Sequence, residues 1–189
     1  MDSAPLSSVS SYLQGSQLNL ILPLFLSWWM AWSDMRTSRI PNYLTLGCAL
    51  AGLGYQLGFH GWAGLAQGFL GLGLGFALLI IFYWMGGMGA GDVKALAALG
   101  TWLGPQQTLS LFVYMAFSGV LVVIIFLWWK GLLKDYIRYI YGLLVNWVLL
   151  RPHPSMPRLA RPGFQAGAIP YAVALAMGMA ILCWRNFKS

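Results

Sequence analysis

Six apolar blocks, at about 18–33, 43–59, 63–85, 93–104, 108–129 and 168–184, contain a single charged residue between them, Lys94. A soluble fold has no interior large enough to hide them. An ordinary domain carries roughly 25% charged residues, whereas this chain of 189 residues carries 8% and is 59% hydrophobic. A hydrocarbon core of roughly 30 Å takes about 20 residues of helix, so six crossings would use about 120 residues. Inside hydrocarbon, each backbone N–H and C=O must bond within its own segment, which helices achieve. The expectation is therefore an all-α, polytopic integral membrane protein with about six transmembrane helices, forming one membrane-embedded domain over 1–189. Trp28, Trp29, Trp32, Trp84, Trp102, Trp128, Trp129 and Trp184 fall near block ends, where amphipathic rings settle at the bilayer interface.

Residues 130–150 are less apolar. Lys134, Arg138, Gly142 and Asn146 recur every four residues, while Leu133, Tyr136, Ile137, Ile140, Tyr141, Leu144 and Val148 line the other side. That pattern describes an amphipathic helix lying in the interface; a seventh span is the competing reading. The stretch that follows, RPHPSMPRLARPGFQ, is too rich in proline for a helix. Arg36, Arg39, Lys130, Lys134, Arg138, Arg151, Arg158 and Arg161 all lie after the first and fifth blocks. The positive-inside rule then puts the 130–167 linker in the cytoplasm, and the N-terminal segment 1–17 and the C-terminus outside. Arg185 and Lys188 run against that rule, and a seventh span would relieve them at the expense of Arg151, Arg158 and Arg161. The net charge of +7 is assigned to topology and lipid headgroups, not to nucleic acid. Segment 1–17 has no Lys or Arg, so it lacks the basic start of a cleavable signal, and the first block is expected to remain as a helix.

Acid chemistry has few sources. The acids are Asp2, Asp34, Asp92 and Asp135, and glutamate is absent. Cys48 and Cys183 stand singly inside apolar blocks, which supports neither a zinc site nor a disulfide framework; no metal and no cofactor is expected. Between Asp34 and Asp92 lie two blocks joined by a turn around His60 and Gly61, so both carboxylates finish at one membrane face. The block after Asp92 offers only some 18 Å of helix. Either Asp92 starts below headgroup level, or the glycine-rich run Gly86, Gly87, Met88, Gly89, Ala90, Gly91 dips into the bilayer. Ionisable groups at such depth mark function. Two adjoining carboxylates share a proton and titrate as one unit. One can take a proton from water while the other polarises an amide carbonyl and protonates its nitrogen.

Two strings carry a family resemblance. Asp34-Met-Arg-Thr-Ser-Arg39-Ile40-Pro41-Asn42 resembles the D-x5-IPN signature, and Gly89-Ala-Gly91-Asp92-Val-Lys94 the GxGDxK signature, of type IV prepilin peptidases. VKALAALGTWLG and Ile169-Pro170-Tyr171 resemble the same family. The resemblance implies an aspartic endopeptidase of the bacterial inner membrane, with Asp34 and Asp92 catalytic. Such an enzyme removes prepilin or pseudopilin leaders after a glycine, at the cytoplasmic face. Its partners would be the substrate's leader and first transmembrane segment, together with membrane lipids. Larger members carry an insert with paired CxxC motifs linked to N-methylation. This sequence has neither and is similar to the short peptidase-only form of tight-adherence (Flp-type) pilus systems, for which no methyltransferase activity is expected. Preflagellin peptidases share the GxGD logic. A non-catalytic component of a pilus or type II secretion assembly, and a small transporter with a proton relay, are the rival functions.

Each candidate residue also has a plainer role. Asp92 could simply start a helix, and Asp34 could pair with Arg36 or Arg39. Lys94 lies about 200° around a helix from Asp92, so a headgroup contact, a substrate contact or snorkelling is expected of it. Pro41 and Asn42 are expected to break the chain and cap the next span, with a substrate role for Asn42 as the alternative. Gly64, Gly68, Gly71 and Gly75 have the spacing of close helix packing. Asp135 is expected to be a solvated surface residue.

Overall fold

The computed structural model describes residues 6–37, 40–85, 88–135, 137–138, 141–142 and 171–188, with side chains in the first helix described from Leu20 onward. It is helical throughout, with no strand among the described residues. Four long helices appear: α1 (Leu6–Thr37), α2 (Asn42–Trp84), α3 (Ala90–Trp129) and α4 (Tyr171–Lys188). Helices α2 and α3 are long and apolar enough to cross a membrane. The outer surface carries large apolar side chains, with Trp62 80% and Phe117 74% exposed. Such a surface needs lipid as its solvent, and the chain is a membrane protein.

Each of the two longest helices is broken by a glycine at positive φ, Gly61 (φ 62°) in α2 and Gly104 (φ 69°) in α3. A side chain would oppose that backbone conformation, and glycine does not. The chain reverses at Gly61, because Gly64 comes against the backbone of Gln56 and Gly68 against Leu53 and Gln56. After Gly104, which neighbours Gln67, the second arm of α3 climbs back along α2 until Ile124 shares a groove with Phe82 and Met88. Helix α4 runs antiparallel to that arm, with Ala174 beside Gly119 and Gly178 against Met115. Helix α1 lies along α4: the Cys183 thiol points to the carbonyl of Leu20 at 3.5 Å at one end, and Asp34 meets Ala172 at the other.

Small residues set these distances. Gly71 and Gly100 face each other backbone to backbone, and Gly75 rests on Leu96 and Ala97. Gly64, Gly68, Gly71 and Gly75 are all buried, so the stripe serves helix packing as its spacing indicates. Two long-range side-chain bonds lock the first arms of α2 and α3 in parallel: Trp102 Nε1 donates to the Cys48 carbonyl at 2.9 Å, and Gln56 Nε2 to the Trp102 carbonyl at 2.9 Å.

Two boundaries differ from the sequence reading. Helix α1 begins at Leu6, well inside the polar segment 1–17, because hydropathy marks where a membrane ends and not where hydrogen bonding ends. Helix α4 likewise runs past Trp184 to Lys188. Its late bases have partners, as Arg185 Nη1 donates to the Tyr114 hydroxyl at 2.7 Å and Lys188 lies over the Trp184 ring. Most of the expected amphipathic stretch 130–150, the linker to 167 and the residues Arg39, Gly86 and Gly87 lie outside the described residues.

Candidate active site

Asp34 sits in the last turn of α1 and Asp92 in the first turn of α3, two helix ends that the bundle brings to one face. Asp92 is buried, at 8% exposure, and Asp34 is half-buried. The two carboxylates are within electrostatic reach of one another. Each also has a backbone donor: the N–H of Ala172 for Asp34 and the N–H of Gly89 for Asp92. Gly89 is the residue before α3 begins, so Asp92 turns back on the start of its own helix, as a carboxylate at the third helical position commonly does. The plainer helix-start role therefore coexists with the electrostatic interaction between the two acids.

Arg36 is not the partner of Asp34. Its guanidinium stacks over the Trp32 ring at 4.7 Å, and the ion pair found among the described residues joins Arg138 to Asp135 at 4.0 Å on the surface. Asp135 is thus the solvated residue its setting indicated.

The two sequence motifs touch at two further points. Buried Ile40 packs on Gly91, where an added Cβ would stand 3.4 Å from the Ile40 Cβ. Lys94 Nζ donates to Asn42 Oδ1 at 3.0 Å. Gly91 therefore makes room for Ile40, and Lys94 reaches across to α2 instead of toward Asp92. Asn42 does not cap α2. The cap position is held by Pro41, whose carbonyl accepts from Leu44 N–H at 3.1 Å, and no side chain bonds there. Asn42 is already the first helical residue, and its amide is committed to Lys94.

A groove of about 330 Å³ begins beside this face. Met88 and Tyr171, close in sequence to Gly89 and Ala172, line it together with Phe112, Met115, Gly119 and Ile124. The groove is apolar throughout its length. Ala172 and this groove escaped the sequence reading. The motif-like Ile169-Pro170-Tyr171 pointed to the start of α4, but a backbone N–H leaves no residue-type signal. Cys48 and Cys183 are buried and free, and no group of three His, Cys, Asp or Glu able to hold a metal occurs among the described residues.

A helical membrane bundle that gathers two acids from different helices at one face defines a small class of proteins, and comparison with known sequences narrows it. The chain belongs to the type IV leader peptidase family, whose family model matches residues 20–127. It is 35% identical over 109 residues to a prepilin leader peptidase/N-methyltransferase of Pectobacterium carotovorum subsp. carotovorum, covering 54% of this chain and 38% of that one. It is 33% identical over 102 residues to a protein of the same description from Burkholderia pseudomallei, covering 50% and 33%. A third, from Aeromonas hydrophila, is 38% identical over 80 residues, 39% of this chain and 27% of that one. The chain thus spans roughly a third of the length of these relatives. No solved structure matches it.

Proposed function

We propose that this chain is a membrane aspartic endopeptidase that removes the leader of type IV prepilins or pseudopilins, with Asp34 and Asp92 as its catalytic residues. The observation that carries the reading is the convergence of these two acids, each within its family motif, in a partly dehydrated site. Two carboxylates that feel each other's charge in such a site hold one proton between them. The ionised member takes a proton from the attacking water, while the protonated member polarises the scissile carbonyl and supplies a proton to the leaving nitrogen. The N–H groups of Ala172 and Gly89 fix the orientation of the two side chains and leave oxygens free to face water and substrate. Ile40, Pro41, Asn42, Gly89, Gly91 and Lys94 position the acids by joining the starts of α2 and α3, and Arg39 belongs to the same motif. The apolar groove that begins at Met88 and Tyr171 takes the apolar segment of the substrate beyond the scissile bond. Cleavage follows a glycine at the cytoplasmic face of the inner membrane. The activity proposed for these residues is the peptidase step, which needs the two acids and neither of the single cysteines.

In this reading the breaks at Gly61 and Gly104 separate membrane passes, which brings the count to six. Residues 42–60 then span roughly 28 Å, close to the hydrocarbon thickness, and residues 90–103 only about 21 Å, which leaves Asp92 below the headgroups. The 130–167 linker, with its six basic residues, is cytoplasmic. A single cysteine at Ser155 should resist a membrane-impermeant thiol reagent added to intact cells and react once the cells are opened. Ready labelling from outside would require a seventh crossing.

The shared proton also fixes the pH profile. Cleavage should follow a bell, lost in acid as the ionised carboxylate is protonated and lost in alkali as the remaining proton leaves. Single-turnover rates in liposomes, followed by intact mass of the prepilin amino terminus, measure it. Rates that stay level from acid to alkaline pH would rule out the shared-proton mechanism.

A further inference from the structure

On the other side of the Lys94–Asn42 contact lies a second cleft, of about 310 Å³, between the first arms of α2 and α3 and the second arm of α2. Its walls include Leu46, Ala49 and Phe76, and Leu46 and Phe76 are exposed, so the cleft opens onto the lipid-facing surface. Thr45 also lines it, but its hydroxyl donates to the Asn42 carbonyl at 3.1 Å and is turned to its own helix. The polar groups left at the mouth are the Asn42 side-chain amide and the ammonium of Lys94, and only the ammonium is charged. One of its three donors is taken by Asn42 Oδ1, a neutral acceptor, and Lys94 is exposed. The side chains that line the cleft include no carboxylate. Asp92 is two residues away on the opposite side of the helix, with Asp34 and Gly89 as its partners. The result is an uncompensated cation over an apolar slot at the edge of the membrane.

We infer that this cleft is a binding site for an anionic phospholipid, whose phosphate sits on Lys94 and whose acyl chain lies along Leu46, Ala49 and Phe76. The charge and the apolar depth are both needed. A zwitterionic lipid brings its own cation and gains little from Lys94, whereas an acidic headgroup near a single Lys gains on the order of a fivefold preference. Because the same ammonium bridges to Asn42, an occupied site would also brace the contact between the two motifs. The inference rests on the chain being membrane-embedded and not on its peptidase activity.

Native mass spectrometry of the full-length protein tests it, after titration with phosphatidylglycerol or with phosphatidylcholine of identical acyl chains. The wild type should retain one phosphatidylglycerol with at least about fivefold preference. Lys94→Gln should bring the two lipids to parity, and Lys94→Arg should keep the preference. Ala49→Phe fills the slot and should abolish retention while leaving the cation in place. Thermal unfolding in detergent checks that each variant is folded; if Lys94→Gln fails there, Lys94→Arg and Ala49→Phe still decide the matter. Equal retention of both lipids by the wild type would overturn the inference, as would phosphatidylglycerol retention that Ala49→Phe leaves unchanged. So would displacement of the lipid by an acidic apolar peptide at equal concentration, which would make the cleft a substrate site. Cleavage is not read in this assay, so its outcome is independent of the peptidase reading.

Discussion

Asp34→Asn and Asp92→Asn should each abolish cleavage of a prepilin, lowering the rate by about 10²–10⁴-fold or to background. Asparagine nearly keeps the shape of aspartate but can neither take a proton from water nor donate one as a carboxylic acid. The double variant should be little worse than either single one, because the two groups act as a unit and the second loss has nothing left to remove. Asp135→Asn is the internal control, since that carboxylate is exposed and paired at 4.0 Å with Arg138 on the surface. There is no glutamate in the sequence, and among the described residues the one remaining acid is the exposed Asp135. All four proteins should insert and accumulate normally, because removing a charge from a partly buried site relieves desolvation. Co-expression with prepilins from the same genome, read by intact mass, gives the answer. Substantial cleavage by either single variant at normal protein levels would sink the two-aspartate mechanism. A wild type inactive on every prepilin, in cells whose pili still need the chain, would favour the scaffold.

What could be read from the sequence was whatever depends on one position at a time or on counting crossings. The helix breaks fell where glycine interrupts apolar blocks, at Gly61 and Gly104. That Asp34 and Asp92 come within electrostatic reach of each other was expected from parity, since two blocks with a turn between them return the chain to the same face. Contacts between helix starts were beyond such reasoning. Ile40 on Gly91 and Lys94 on Asn42 require α2 and α3 to begin side by side, which is a matter of packing. Asn42 shows the limit well: by residue type it is a good cap, yet Pro41 takes that position and frees the amide for Lys94. The early start of α1 at Leu6 was hidden because polarity in a membrane protein reports the solvent around a helix and not its hydrogen bonds.

The same packing makes the fold's most sensitive point predictable. At Gly71 an added Cβ would run into the carbonyl oxygen of Gly100, and at Gly100 into that of Gly71. The obstacle on both sides is backbone in the middle of a helix, so no rotamer change can clear it, and the helices must separate. A shift of the first arm of α3 would also strain its bonds to the first arm of α2, from Trp102 to Cys48 and from Gln56 to Trp102. Gly71→Ala and Gly100→Ala should therefore each destabilise at or beyond the upper end of the roughly 1–3 kcal/mol seen for overpacked cores, and Gly71→Val more. Gly73, two residues along the same helix, has nothing within 4 Å of its added Cβ. Gly73→Ala should be neutral, or stabilising by up to roughly 1 kcal/mol, since alanine is the better helix former. Thermal unfolding of the purified proteins in one detergent, with membrane accumulation measured alongside, separates the two sites. If Gly71→Ala and Gly73→Ala unfolded at the same temperature, the backbone contact between α2 and α3 would not be what holds these helices together.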